Sequence, residues 1–188
     1  EFLSGGNFHG EPTGFAMDLL TMSLAEIGNI ADRRCFSLCD PTLSYGLPLA
    51  LAGEPIGLNY GYNIICTATA ALASENKTLC FPSVCDNIPT KANQEDHVSM
   101  GTTAARKARM ILDNAQKVLG IELMAAAQAL WLWGESQLSP ATMAVYRRIR
   151  QEVPAIEQDI VMYPQLAKMD AMVKHADLVQ AAEAVCGP

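Results

Sequence analysis

The chain has 188 residues, half of them apolar or aromatic, which is enough for one domain with a substantial core. Thirteen Lys and Arg against 20 Asp and Glu give a formal charge of −7 with no long run of either sign. That balance argues against nucleic-acid and anionic-membrane partners, and no run of about 18 residues free of polar interruption is present to cross a bilayer.

The chain opens on Glu1-Phe2-Leu3-Ser4-Gly5-Gly6 without an initiator Met, a basic segment or an apolar signal core, and reads as the interior of a longer protein. The first long periodic segment starts at Glu11-Pro12, runs through Phe15, Leu19, Met22, Ala25 and Ile30 to about Cys39, and is stopped by Asp40-Pro41. Pro41, Gly46, Pro48, Gly53, Pro55 and Gly57 break any period up to Tyr60, so a packed loop is expected there. A second helix is predicted from about Gly61 to Leu79, closed by Phe81-Pro82. The longest pattern runs from about Asp96 to Trp133 and would span about 55 Å at about 1.5 Å per residue. Ser139-Pro140 reads as an N-cap and first-turn proline for a helix ending near Pro154, and a last helical region, broken once, covers Pro164 to Val185.

No alternating strand pattern of useful length occurs, so the class is all-α. Helices this long with broad apolar faces need cover from other chains or from the rest of a longer protein, which points to a long-helix bundle inside a larger oligomeric helical core. Two regions follow: a long-helix core over 1–135 and a carboxy-terminal helical region over 136–188. The six cysteines sit mostly among apolar neighbours and read as buried free thiols in a reducing compartment. No His stands at ligand spacing from Cys35 and Cys39 or from Cys80 and Cys85, so no metal centre is expected.

Three segments are more polar than their surroundings require: Ser4-Gly5-Gly6-Asn7-Phe8-His9-Gly10-Glu11, Ala73-Ser74-Glu75-Asn76-Lys77-Thr78, and Asn93-Gln94-Glu95-Asp96-His97-Val98-Ser99-Met100-Gly101. The first lacks the Gly-Lys-Ser/Thr and the preceding strand of a nucleotide loop. In the second, Glu75 and Lys77 are too close in sequence to face one another on a helix, so a solvated or inter-subunit role is the default. In the third, Glu95 and Asp96 fall at the expected start of the longest helix. There a carboxylate either caps free N–H groups or, with Gln94, points into a site and holds the polar end of a substrate.

In order and spacing these segments, together with Gly57-Leu58-Asn59 and Gly61, resemble the histidine ammonia-lyase branch of the aromatic amino acid lyases. The later helices fit more loosely, and the chain would correspond to about the last third to two-fifths of a typical member. The resemblance implies elimination of ammonia from L-histidine or a related aromatic amino acid to give an α,β-unsaturated acid. It implies the electrophile 4-methylidene-imidazol-5-one (MIO), made from an internal Ala-Ser-Gly that this chain does not contain; Leu3-Ser4-Gly5 belongs to another motif. The family's tyrosine base and carboxylate-binding arginine would likewise come from an amino-terminal portion. By matching position, Phe8 and Glu95 are the implied catalytic residues: Phe8 packs beside electrophile and substrate, and Glu95 meets the substrate's amino group or imidazole. Gln94 supports Glu95, and Asn63 lies at the substrate side chain.

The Gln94-Glu95 pair favours the histidine branch. Against it, Gly57-Leu58-Asn59-Tyr60-Gly61-Tyr62-Asn63 departs from the Gly-Leu-Asn-Ser-Gly-Phe-Met usual there, so Asn63 replaces a methionine at the substrate side chain. The implied partners are the amino-terminal portion of the enzyme, an amino acid substrate and a homo-tetramer, and the implied location is the cytoplasm. A 2,3-aminomutase on the same site and a catalytically silent helical assembly fragment are the competing readings.

Overall fold

A computed structural model of the chain describes residues 1–3, 5–6, 8–134 and 137–187. Proline in the first turn, after Gly10 at φ 83°, starts α1, Glu11–Cys39. The chain then forms α2 (Asn63–Leu79), α3 (Gly101–Trp133), α4 (Pro140–Glu152), α5 (Tyr163–Lys174) and α6 (Asp177–Cys186), with single 3-10 turns at Leu49–Leu51 and Lys91–Asn93. No strand occurs among the described residues, in keeping with the expected all-α class. Ser139 caps α4 as expected, its Oγ accepting from the Thr142 N–H at 3.2 Å. The break in the last region falls at Ala176, which takes a left-handed φ of 59°. The expected division at 135–136 lies on residues outside the described set.

α3, 33 residues and so about 50 Å long, is the axis on which the other helices gather. α1 packs along it, α2 lies against both, α5 crosses it near Gly120, and α4 pairs with α6. The α1 face that packs on α2 and α3 is made of small or polar residues: Gly14, Asp18, Thr21, Ala25, Gly28, Ala31 and Cys35 are buried. Opposite them α3 buries Ala104, Ala108, Ile111, Ala115 and Val118. Small side chains on both sides let the two backbones approach closely.

The larger apolar residues of α1 face outward, which corrects the stripe read from sequence: of Phe15, Leu19, Met22, Ala25 and Ile30, only Ala25 is buried. Phe15 and Leu19 are 58% and 62% exposed. The main core lies further along, where Tyr62, Leu51, Met124, Ile149, Val153 and Met169 are fully or almost fully enclosed.

α3 begins at Gly101, five residues later than the periodicity suggests, because other groups claim the backbone before it. The Asn87 side chain donates to the Asp96 carbonyl at 3.0 Å and accepts from the Val98 N–H at 2.8 Å. Thr90 and Glu95 exchange backbone bonds of 2.9 and 3.3 Å across a tight turn. Met100 then takes a left-handed φ of 50° as the N-cap. Glu95 and Asp96 therefore do not sit on the helix start, and the capping role considered for them is not realised.

Candidate functional site

Two loops meet where α1 and α3 begin. A Cβ on Gly101 would stand 3.6 Å from the Gly10 carbonyl, and one on Gly14 would stand 3.1 Å from the Ser99 carbonyl. The loop that carries Phe8 is thereby held beside the loop that carries Gln94 and Glu95. His9 and His97 complete the contact: their rings stack at 5.1 Å with planes 1° apart, and His9 Nε2 lies 2.7 Å from the His97 carbonyl oxygen. Ser4 and Asn7 of the first motif lie outside the described residues.

Within this end, Phe8 is 89% exposed and touches no core. Gln94 closes the 3-10 turn Lys91–Asn93 and is exposed. The Glu95 carboxylate is about half exposed, with the Lys91 ammonium at 3.4 Å as its ion-pair partner. An open aromatic ring, an amide and a carboxylate are thus presented together on adjacent loops, available to whatever packs onto this end.

Asn63 is elsewhere. It is the first residue of α2 and exposed, and one turn later Cys66 places its sulfur 3.0 Å from that of Cys39 at the far end of α1. The length of α1, about 40 Å at about 1.5 Å per residue, therefore separates Asn63 from Phe8 and Glu95. One copy of this chain does not bring the four residues into one pocket.

The rest of the Gly57–Asn63 segment builds structure. Asn59 accepts from the Asp159 N–H at 3.1 Å, and Asp159 accepts from the N–H groups of Tyr60 and Gly61 at 2.7 and 2.9 Å. Tyr62 is fully buried, and that burial raises its phenol above the ordinary value. The second polar segment is structural as well: buried Asn76 and exposed Glu75 both accept from Asn114 of α3, at 3.0 and 2.9 Å.

Two features escaped the sequence reading. Cys35, Cys39 and Cys66 gather between α1 and α2 as free thiols. The Cys39 and Cys66 sulfurs are hydrogen-bonded at 3.0 Å, and that bond together with burial raises the Cys39 thiol above its ordinary value. Cys85 and Cys186 are exposed, against the expectation that the thiols are mostly buried. The second feature is Glu11, whose carboxylate lies between His9 and His97, with Nδ1 of His9 at 4.0 Å and Nε2 of His97 at 3.6 Å. A separation of 88 residues between the two histidines hides this cluster from any spacing rule.

The family model of the aromatic amino acid lyases matches residues 1–151. The chain belongs to the aromatic amino acid lyase family. Among curated relatives of this lyase chain, the histidine ammonia-lyase of Symbiobacterium thermophilum is 49% identical over all 188 residues, which correspond to 37% of that protein. The solved histidine ammonia-lyase of Trypanosoma cruzi superposes with a TM-score of 0.92 at 37% identity, covering 97% of this chain and 36% of the other. The tyrosine aminomutase of Streptomyces globisporus gives a TM-score of 0.95 at 35% identity, covering 98% of this chain and 35% of the other. The lyase chain thus spans a little over a third of the length of the relatives it matches. Among the described residues, no helix is long and apolar enough to cross a membrane.

Proposed function

We propose that these residues act as the carboxy-terminal part of a histidine-type ammonia-lyase, which removes ammonia from L-histidine or a related aromatic amino acid to leave the α,β-unsaturated acid. The observation that carries the reading is the pairing of the Phe8 loop with the Gln94-Glu95 loop at the head of α1 and α3, in a chain 49% identical to a protein named histidine ammonia-lyase. The residues fit MIO chemistry as a wall and not as its source. The exposed Phe8 ring offers an apolar face for a flat heterocycle, and the Glu95 carboxylate offers a counter-charge to an ammonium or imidazolium. The precursor Ala-Ser-Gly is not in these 188 residues. When bound, MIO supplies the electrophile that makes the amine a leaving group.

What this chain contributes is positioning. Phe8 excludes water from one side of the substrate, Glu95 holds its cationic group, and Gln94 orients the Glu95 carboxylate. Asn63, at the opposite end of α1, would serve a site contributed by another copy. That division of labour, with the exposed Phe15, Leu19 and Ile30 on α1, favours assembly of complete protomers as a homo-tetramer. The cytoplasm is the compartment we assign, where the six free thiols stay reduced.

Joint expression of this chain with an amino-terminal portion bearing Ala-Ser-Gly, followed by assay of ammonia and the unsaturated acid from histidine, phenylalanine and tyrosine, tests the reading. Failure to release either product from all three substrates overturns it. A β-amino acid in place of ammonia would select the 2,3-aminomutase reading, while the amide at Asn63 bears on which side chain the site accepts.

A further inference from the structure

His9, Glu11 and His97 each bring one ligand atom to a common point, and these atoms all lie within 4.8 Å of one another. We propose that the three hold a divalent transition-metal ion of the zinc class, clamping the amino-terminal loop to the loop before α3. Imidazole and carboxylate together suit zinc and its neighbours, whereas magnesium and calcium prefer oxygen-only sets.

Two of the three separations are already close, and the exposed His97 ring must turn out of its stack on His9 for both lone pairs to meet one ion. Tetrahedral zinc with legs of about 2.0–2.1 Å holds its ligands about 3.3 Å apart, and Glu11 Oε2 is already 3.6 Å from His97 Nε2 and 4.0 Å from His9 Nδ1. The tautomer of His9 is also set. Its Nε2 has the His97 carbonyl as partner at 2.7 Å and must carry the hydrogen, which leaves the lone pair on Nδ1, the nitrogen nearer Glu11. A backbone carbonyl fixing the far nitrogen of a ligating histidine is the usual outer support of such sites.

A third observation points to a missing partner: Glu11 Oε2 is buried yet accepts no hydrogen bond. A buried carboxylate oxygen in that condition is costly unless a cation completes it. Three protein ligands leave one position open, to be filled by water or another group. The metal site stands on this geometry alone; its consequence, that the ion fixes Phe8 relative to Glu95, rests on the lyase reading.

The test uses the assembled protein after treatment with a chelator, and it reads metal alone, so it stands whatever the ammonia assay gives. Titration with Zn²⁺ should show one ion per chain, and Co²⁺ should give visible d–d bands without a thiolate charge-transfer band. His97→Ala and Glu11→Gln should each weaken Zn²⁺ binding at least about tenfold. Glu11→Gln preserves shape at the start of α1, and matched circular dichroism separates ligand loss from unfolding. Binding weaker than about 1 mM, equal affinity in folded Glu11→Gln, or a cobalt spectrum dominated by thiolate would each overturn the proposal.

Discussion

The side chain of Gln128 and the backbone of Ile156 exchange two hydrogen bonds in the closed core: Nε2 donates to the Ile156 carbonyl at 2.8 Å, and Oε1 accepts from the Ile156 N–H at 3.1 Å. An amide near the carboxy-terminal end of α3 thus does for an irregular segment what a neighbouring strand would do, and Gln128 is fully buried while doing it. Gln128→Leu keeps the volume but strands a buried donor and a buried acceptor. The expected loss is about 2–4 kcal/mol, read as a lowered urea midpoint with unchanged slope.

The same segment comes close to the loop after α1. A Cβ at Gly53 would stand 1.9 Å from the Glu157 carbonyl oxygen, and backbone on both sides leaves no flexible side chain to give way. Gly53→Ala should therefore destabilise by at least about 2 kcal/mol. Gly5→Ala, with nothing within 4 Å, should leave the melting temperature unchanged.

Helices stamped by their ends were legible in the sequence. Pro12, Ser139-Pro140 and the Asp40-Pro41 stop mark boundaries that the structure reproduces to within a residue or two. The start of α3 was not, because the groups that displace it are the Asn87 side chain and a left-handed Met100, neither of which leaves a periodic trace. Nor was the buried face of α1. Its small stripe, from Gly14 to Cys35, and its large apolar stripe both recur at helical spacing, and only the presence of α3 decides between them. At the site, Phe8, Gln94 and Glu95 were named from linked motifs, but the histidine contact that holds their loops together is a tertiary event.

The thiols should sort by environment. Burial pushes the Cys35 thiol above its ordinary value and encloses it completely, whereas Cys85 is exposed. Since the thiolate is the reactive form, iodoacetamide at about pH 8.5 should modify Cys85 and spare Cys35 in the native chain, and urea should remove the difference. Peptide mass spectrometry reads both sites, and early labelling of Cys35 would contradict the packing of α1 on α2.

Purified alone, this chain should release no ammonia from histidine. The electrophile's precursor Ala-Ser-Gly does not lie within it, and Phe8 stands open at 89% exposure with no enclosed pocket around it among the described residues. Release of ammonia by the 188-residue polypeptide, free of any other chain by intact mass, would show that the electrophile is not supplied from outside.

Glu95 allows the sharpest separation of support from chemistry. Its structural ties are slight: a backbone turn with Thr90, which any side chain permits, and a half-exposed ion pair with Lys91 at 3.4 Å. Losing such a pair costs no more than about 0.5 kcal/mol, and the carboxylate is six residues ahead of α3, beyond reach of a capping role. Glu95→Gln should therefore leave the melting temperature of the assembled enzyme within error of the parent. In a water-poor site the same change keeps shape and hydrogen-bonding capacity but removes the charge that meets the substrate's cation. Turnover should then fall by about 10²-fold or more, the scale of a lost charge-assisted contact. Lys91→Ala supplies the control, because it breaks the ion pair while leaving the carboxylate in place, and it should retain most of the activity. If Glu95→Gln keeps full kcat/KM, or if Lys91→Ala loses as much as Glu95→Gln, the carboxylate serves the turn and not the substrate.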